Sequence, residues 1–348
     1  MDKQLERGRL DQIESECLAL TQRQGPFSGA LAIQGNYPET FFKGLITGTS
    51  KLWSKVVLME HWVVYILNGM YFASFLFLTS LGLSIILGVM GILNLAHGSL
   101  FAIGAFMAAW IVGAFGANSP LTVFFVGLLA ALGVAGVVGL VLETSLIRPM
   151  YKRALEYQLL ITFGALLLIE DLIKMIWGGT AYYASKPFTV MGSLSIGINQ
   201  YPVYFLFAML MSLAAGLGIW MIMSKTRVGI MLRSISMDRE MAQAMGIQIG
   251  KLNTLAFGMG AALAGLAGAL IVPTTPALLG IGMDPLILAF IVVVLGGLGS
   301  LKGALIGSLI VGETRSIGIV FFPEIELPLL FLIAVIILVF KPQGLFGR

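Results

Sequence analysis

Between residues 62 and 340 apolar side chains run almost without a gap, interrupted only where charges cluster or where Gly, Pro and Asn gather. The runs fall at 62–79, 81–95, 99–116, 120–142, 158–177, 201–223, 253–272, 286–299, 303–320 and 326–340. An α-helix needs about 20 apolar residues to cross the hydrocarbon core of a bilayer, and several of these runs are shorter. The run 81–95 leads into Asn94, Ala96, His97, Gly98 and Ser99, and the run 286–299 into Gly296, Gly297, Gly299 and Ser300. Unpaired backbone groups in lipid cost several kcal/mol each, so such breaks persist only inside protein or beside a water-filled cavity. The pattern predicts an all-α, polytopic integral membrane protein with about 8–10 transmembrane or partial-span helices, some of them broken. The two breaks share a form, an apolar run, a Gly-rich knot and a second apolar run, which fits a weak internal repeat.

Residues 1–58 behave differently. They carry Lys3, Arg7, Arg9, Arg23, Lys43, Lys51 and Lys55 against Asp2, Glu6, Asp11, Glu14, Glu16 and Glu39, with no long apolar run. The basic start has no apolar segment behind it, so it does not read as a secretory signal. A short polar helix over 2–23, breaks at Gly25-Pro26, Gly35-Asn36 and Tyr37-Pro38, and a weakly amphipathic surface stretch over 41–57 are expected within a poorly ordered polar extension. The transmembrane domain is expected over 59–348.

Composition removes several function classes. Of 348 residues 58% are apolar and 11% charged, whereas a soluble domain carries about 25% charged residues. Soluble enzymes and disordered chains are excluded. Cys17 is the only cysteine, so no disulfide forms within the chain. The net charge of +4 is thinly spread and gives no footing for nucleic acid.

Its placement does give an orientation. Lys225, Arg227, Arg233, Arg239 and Lys251 crowd into 224–252, and Arg148, Lys152 and Arg153 into 143–157. Both loops are expected in the cytoplasm. The loops 116–120 and 273–283 hold no basic residue, 178–200 holds only Lys186, and all three are expected outside. If 62–95 makes one long crossing, the N-terminal side lies outside; if two partial crossings, inside.

In 224–252, Met237, Met241, Ala244 and Met245 recur at helical spacing, with Gly246 where a helix would be capped. A short helix with a flexible apolar face either docks on a partner or lies on the membrane.

These stretches together resemble a known family. Asn68-Gly69, the run Gly88 to Ser99 with Asn94, Ala96, His97 and Gly98, and Arg148-Pro149 carry the likeness. So do Arg233 to Asp238, Ala242 to Ile247, Gly258 to Gly268, Val292 to Ser300 with Gly303 and Gly307, and the closing Lys341 to Gly347. Residues 59–348 resemble the H-type (LivH-like) permease subunit of branched-chain amino-acid ABC importers. The resemblance implies a passive membrane subunit with a core similar to type II importers. Its partners would be a second, LivM-like permease, two ATP-binding subunits, a periplasmic or extracellular substrate-binding protein and membrane lipid. It places Arg233, Asp238, Ala242, Met245, Gly246 and Ile247 on the ATPase-contact loop, and Asn94, Ala96, His97, Gly98 and Ser99 at a broken helix beside the substrate pathway. Gly296, Gly297, Gly299 and Ser300 form the matching break. The setting would be the bacterial cytoplasmic (inner) membrane. The chain itself would bind no cofactor, ATP being used by the partners.

Two departures from the family stand out. Its members begin near Met59, so 1–58 is expected to be an addition or an upstream misreading of the start. A second basic residue that often follows Glu143 in relatives is missing here, which puts a local salt bridge in doubt.

Bland readings stand beside the sharp ones. His61 and His97 have no ligand set around them, so no metal is expected; His97 either packs against a neighbouring helix or borders the path. Asn94 would satisfy backbone groups at the break, and the N–H groups following Gly98 could face a substrate carboxylate. Glu170 and Lys174 are spaced to pair on one helix face, Glu313 and Arg315 to meet a neighbouring helix or line the inner path, and Asp284-Pro285 to start a helix. The run Gly258 to Gly268 reads as close helix packing, since no phosphate-loop motif exists in the chain. Two other classes compete with an importer subunit. A stand-alone ion-coupled carrier would need a coupling carboxylate, with Glu143 and Glu313 as candidates. A membrane enzyme would need a clustered catalytic constellation, which the sequence lacks.

Overall fold

The structure, a computed structural model, describes residues 51–151, 153–196, 199–321 and 323–347, with side chains from Trp62 onward. The polar helix, the breaks and most of the surface stretch expected before residue 58 lie outside the described residues. Val57–Arg348 form the compact unit described below.

Its helices are α1 (Lys51–Met90), α2 (His97–Phe115), α3 (Pro120–Leu142), α4 (Leu155–Trp177), α5 (Lys186–Met191), α6 (Val203–Lys225), α7 (Arg227–Met237), α8 (Arg239–Ala244), α9 (Ile249–Ile271), α10 (Met283–Gly296), α11 (Leu301–Phe321) and α12 (Glu326–Phe340). A π-turn at Glu143–Ile147 and a 3-10 turn at Arg148–Met150 prolong α3. Seven helices among the described residues are long and apolar enough to cross a membrane: α1, α2, α3, α6, α9, α11 and α12. α10 is apolar but short. The architecture is that of an all-α polytopic membrane protein. One small exception was not foreseen, an antiparallel pair of strands, β1 (Ser193–Ile196) and β2 (Asn199–Pro202), in the loop before α6.

α9 is the central element, and its small residues explain how it can be. A methyl group on Gly268 would collide with the Phe101 carbonyl of α2, and one on Gly265 with Ala135 of α3. Bare backbones therefore approach closely, the usual basis of helix packing where water gives no hydrophobic drive. The Tyr204 hydroxyl of α6 donates to the Leu270 carbonyl at 2.5 Å.

The break expected near residue 80 is absent: 62–90 is one continuous helix. The Thr79 hydroxyl donates back to the Phe75 carbonyl at 2.9 Å and Ser80 to Phe77 at 3.1 Å. Each hydroxyl is thus satisfied within its own helix, so polar residues there need not interrupt it.

The two ends of the bundle can be told apart. At one end Tyr182 and Ala277 exchange backbone hydrogen bonds of 3.1 and 2.9 Å, joining the two loops expected outside. The Tyr71 hydroxyl lies 2.8 Å from the Thr274 hydroxyl, and its ring stacks on Phe205 at 4.1 Å, which places Tyr71 at that end. At the other end the basic loops meet, with Arg239 over the Tyr151 ring at 5.4 Å. By the positive-inside rule the basic end is the one expected inward. Met90 lies nineteen positions after Tyr71, a helical rise of about 28 Å that nearly matches the thickness of a bilayer core. Trp62, stacked on Phe321 at 5.7 Å, lies on the Tyr71 side of this helix, which fits the alternative of one long crossing.

Two smaller expectations are corrected. Glu170 pairs not with Lys174 but accepts the Gly280 N–H at 3.1 Å, because the outer loop passes over its helix. The cap of α10 is Gly282 rather than Asp284, which sits inside the first turn with Pro285.

Candidate functional site

The first break is built from the end of α1 and the start of α2. α1 stops at Gly91, whose φ of 69° takes the chain out of the helix. Residues 91–96 then double back, because His97 Nε2 lies 3.0 Å from the Thr79 carbonyl, in the middle of α1. Met90 lies eleven positions after Thr79, so the chain retraces about 16 Å along α1 before α2 begins. α2 therefore starts beside the middle of α1 rather than at its end. Asn94 Oδ1 accepts the Ala96 N–H at 3.1 Å, so the amide serves the exposed backbone of the break. Asn94, Ala96, His97 and Ser99 are all buried, and Gly98 packs on the Gly282 carbonyl, 2.7 Å from where a Cβ would sit. Asn94 Nδ2, His97 Nδ1 and Ser99 Oγ have no hydrogen-bond partner among the described residues. Buried polar atoms are normally satisfied, so this knot holds unused hydrogen-bonding capacity.

The second break lies between α10 and α11. Gly297 and Gly299 have φ of 98° and 75°, and the Ser300 hydroxyl accepts the Gly303 N–H at 3.0 Å, capping α11. A methyl on Gly296 would strike Gly303, so the two helices fold sharply together. The two breaks touch: a Cβ on Gly88 would lie 2.7 Å from the Gly299 Cα. Sequence reasoning missed what the closing motif does. The Leu345 and Phe346 N–H groups donate to the Leu295 and Gly296 carbonyls at 2.8 and 3.0 Å, pairing the last carbonyls of α10.

The inward loop between α6 and α9 carries the second half of the candidate site. Thr226 caps α7 by accepting the Gly229 N–H at 3.2 Å, and Asp238 caps α8 by accepting the Met241 N–H at 2.9 Å. The single helix expected through Met237, Met241, Ala244 and Met245 is thus two, divided at Asp238, whose backbone is extended. Gly246 does end α8: its N–H reaches Gln243 at 3.0 Å, the Ile247 N–H reaches Ala242 at 3.1 Å, and its φ is 80°. Met237, Met241 and Met245 remain exposed at 74%, 61% and 77%, on α7, α8 and just beyond. Arg233, Asp238 and Gly246 are exposed and Ile247 half-buried. Ala242 is buried beneath the loop.

Two ion pairs form among the described residues. Glu143 is fully buried and forms an ion pair with Arg148 at 3.0 Å, so the salt bridge left in doubt is present. Arg315 pairs with Glu326 at 2.6 Å and lies 4.3 Å from the Phe72 ring centroid. Glu313 packs its carboxylate against Gly69, 2.5 Å from where a Cβ would sit.

Comparison with known proteins gives consistent matches. Residues 65–340 match the family described as the branched-chain amino acid transport system permease component. The high-affinity branched-chain amino acid transport system permease protein BraD of Pseudomonas aeruginosa is 26% identical, over 83% of this chain and 96% of that one. The corresponding protein LivH of Escherichia coli is 26% identical, over 81% and 94%. The probable branched-chain amino acid transport permease protein LivH of Methanocaldococcus jannaschii is 28% identical, over 76% and 83%. Among solved structures, PsaBC from Streptococcus pneumoniae in complex with Fab covers 79% of this chain at 15% identity and a TM-score of 0.35, a likeness too slight to bear on the argument.

Proposed function

The chain belongs to the branched-chain amino-acid transport permease family, and we propose that it is the membrane subunit of an ABC importer that carries leucine, isoleucine, valine or related small amino acids and amides. The family match over 65–340 carries this reading. Its motors are separate: two ATP-binding subunits engage the inward loop, a LivM-like permease completes the membrane core, and a periplasmic or extracellular binding protein delivers the solute. The complex sits among the lipids of the bacterial cytoplasmic (inner) membrane.

The loop from Arg233 to Ile247 is the grip. Capped at Thr226, Asp238 and Gly246, it is a stiff double helix with flexible methionine side chains exposed, a surface suited to a partner that changes shape during its cycle. The break at Asn94, Ala96, His97, Gly98 and Ser99, with its partner at Gly296, Gly297, Gly299 and Ser300, borders the path. ATP closes the motors, the grip moves with them, and the helices exchange an inward-open for an outward-open arrangement. The unused polar atoms of Asn94, His97 and Ser99 meet water or the passing zwitterion in one of these states.

An ion-coupled carrier is the weaker reading, since one of its two candidate carboxylates, Glu143, is committed to Arg148. Reconstitution into proteoliposomes separates the two. Leucine uptake that needs ATP, the ATP-binding subunits and the binding protein supports the importer. Uphill uptake by this chain alone, driven by a proton or sodium gradient, refutes it.

A further inference from the structure

At the inward end one carboxylate joins three segments of the chain. Glu143, on the π-turn after α3, takes Arg148 Nε at 3.3 Å and Nη2 at 3.0 Å. It also takes the Thr254 hydroxyl of α9 at 2.6 Å and the Tyr151 hydroxyl. A fully buried carboxylate with these donors holds them as a unit, because losing one leaves charge uncompensated. Tyr151 faces two ways. Its hydroxyl enters this cluster, and its ring carries the guanidinium of Arg239, which belongs to α8 of the grip. Burial, first, and then the neighbouring Glu143 push the phenol well above its ordinary range, so it stays a donor.

The connection is graded. Glu143 is itself buried and held by four donor groups at hydrogen-bonding range, whereas the contact of Arg239 with Tyr151 is a single cation–π pair with an exposed arginine, a kind of contact that can slip and re-form. Beside it a cavity of about 570 Å³ opens between Arg148, Tyr151, Arg239, Gln243 and Gln248, leaving α8 room to shift. From Glu143 the path continues directly into α3 and α9, and α9 lies against α2, which starts at the first break.

We propose that Tyr151 is a positioning residue that passes displacement of α8, through Arg239 on one side and Glu143 on the other, to α3 and α9. This rests on the importer reading, since only a moving grip gives the linkage anything to transmit.

The test uses the full complex, with its ATP-binding subunits and binding protein, in liposomes. The readouts are solute moved per ATP hydrolysed and the amount of ATP-binding subunit that co-purifies. Tyr151→Phe keeps the ring under Arg239 and removes the hydroxyl's bond to Glu143. We expect it to retain the ATP-binding subunits and to lower solute moved per ATP about fivefold, the factor set by one lost hydrogen bond. Arg239→Ala should lower the same ratio, Arg239→Lys should restore part of it, and Tyr151→Phe with Arg239→Ala should be no worse than the poorer single variant, as expected for two links in one chain. An unchanged ratio in Tyr151→Phe, or a fall in uptake matched by loss of bound ATP-binding subunit, overturns the proposal. Failure of the unaltered complex to use ATP for uptake overturns the importer reading instead, which keeps the two outcomes apart.

Discussion

Gly88 and Gly299, 211 positions apart in the sequence, lie backbone against backbone where the two broken regions meet: a Cβ on Gly299 would come within 2.9 Å of the Gly88 Cα. Gly299 also needs a φ of 75°, so substitution there is strained as well as crowded. Gly88→Ala should cost about 1–3 kcal/mol through overpacking, and Gly299→Val more. Thermal unfolding in detergent should show that order, with uptake falling in step. Equal stability of Gly299→Val and the unaltered protein would remove this contact from the account.

His97 is held by one directed bond, from its ring to the Thr79 carbonyl. A glutamine can bring an amide N–H to nearly the same place, whereas alanine leaves the bond unmade and a void behind. His97→Ala is expected to lose about 2–4 kcal/mol and His97→Gln clearly less. The measurement is the midpoint of thermal or denaturant unfolding. If the two variants unfold alike, the bond is not what anchors the start of α2.

How much of this was legible in the sequence follows from the range of each interaction. The apolar runs, the cap at Gly246 and the expected sidedness of the loops depend on neighbouring residues or on charge; the first two are seen in the structure. The break at Asn94 to Ser99 was legible too, because Gly and Asn interrupt an apolar run. The continuity of α1 through Thr79 and Ser80 was not, since hydroxyls that bond within their own helix look, in sequence, like a polar interruption. The division of the grip at Asp238 was hidden for a similar reason: Asp caps a new helix there, while the methionine spacing runs on across it. The contacts of Gly88 with Gly299, of Leu345 with Leu295 and of Glu143 with Thr254 join residues far apart in the chain, and no local pattern carries them.

The chain's closing segment gives a separate test. Leu345 and Phe346 pair the last carbonyls of α10, which in their absence would need water. Removing residues 344–348 should free the inner end of α10, speed proteolysis near the second break and destabilise the protein by about 1–3 kcal/mol, from two lost bonds. Leu345→Ala keeps the backbone donors and should lie much closer to the intact protein. Truncation without any change in proteolysis or unfolding would assign the segment no such part.

Three exposed methionines define the grip, and their exposure separates docking from folding. Met241→Glu places a charge on a surface that is already open to solvent, so unfolding should shift by less than about 0.5 kcal/mol. Co-purification of the ATP-binding subunits should nevertheless fall, because a charge buried without a counter-ion disfavours the interface. Gly246→Ala acts through the backbone instead, since its φ of 80° strains any other residue. It should lower both stability and docking. Undiminished docking by Met241→Glu would move the contact away from this face.

Sidedness is expected from the placement of the basic loops and can be read by chemical labelling. Cys17 is the only native cysteine, so it is first replaced by serine and single cysteines are then introduced. Tyr183, 71% exposed, lies beside the paired outer loops, and Met237, 74% exposed, lies on the grip. Tyr183→Cys should react with an impermeant maleimide added to right-side-out vesicles, and Met237→Cys only after the membrane is opened or inverted. Trp62→Cys, at the end of α1 that stacks on Phe321, should behave as Tyr183→Cys does. Labelling of Trp62→Cys from the inside alone would mean that α1 does not make its single crossing from Trp62 outward to Met90 inward. The depth assigned to the first break, and with it the position of His97, would then be wrong.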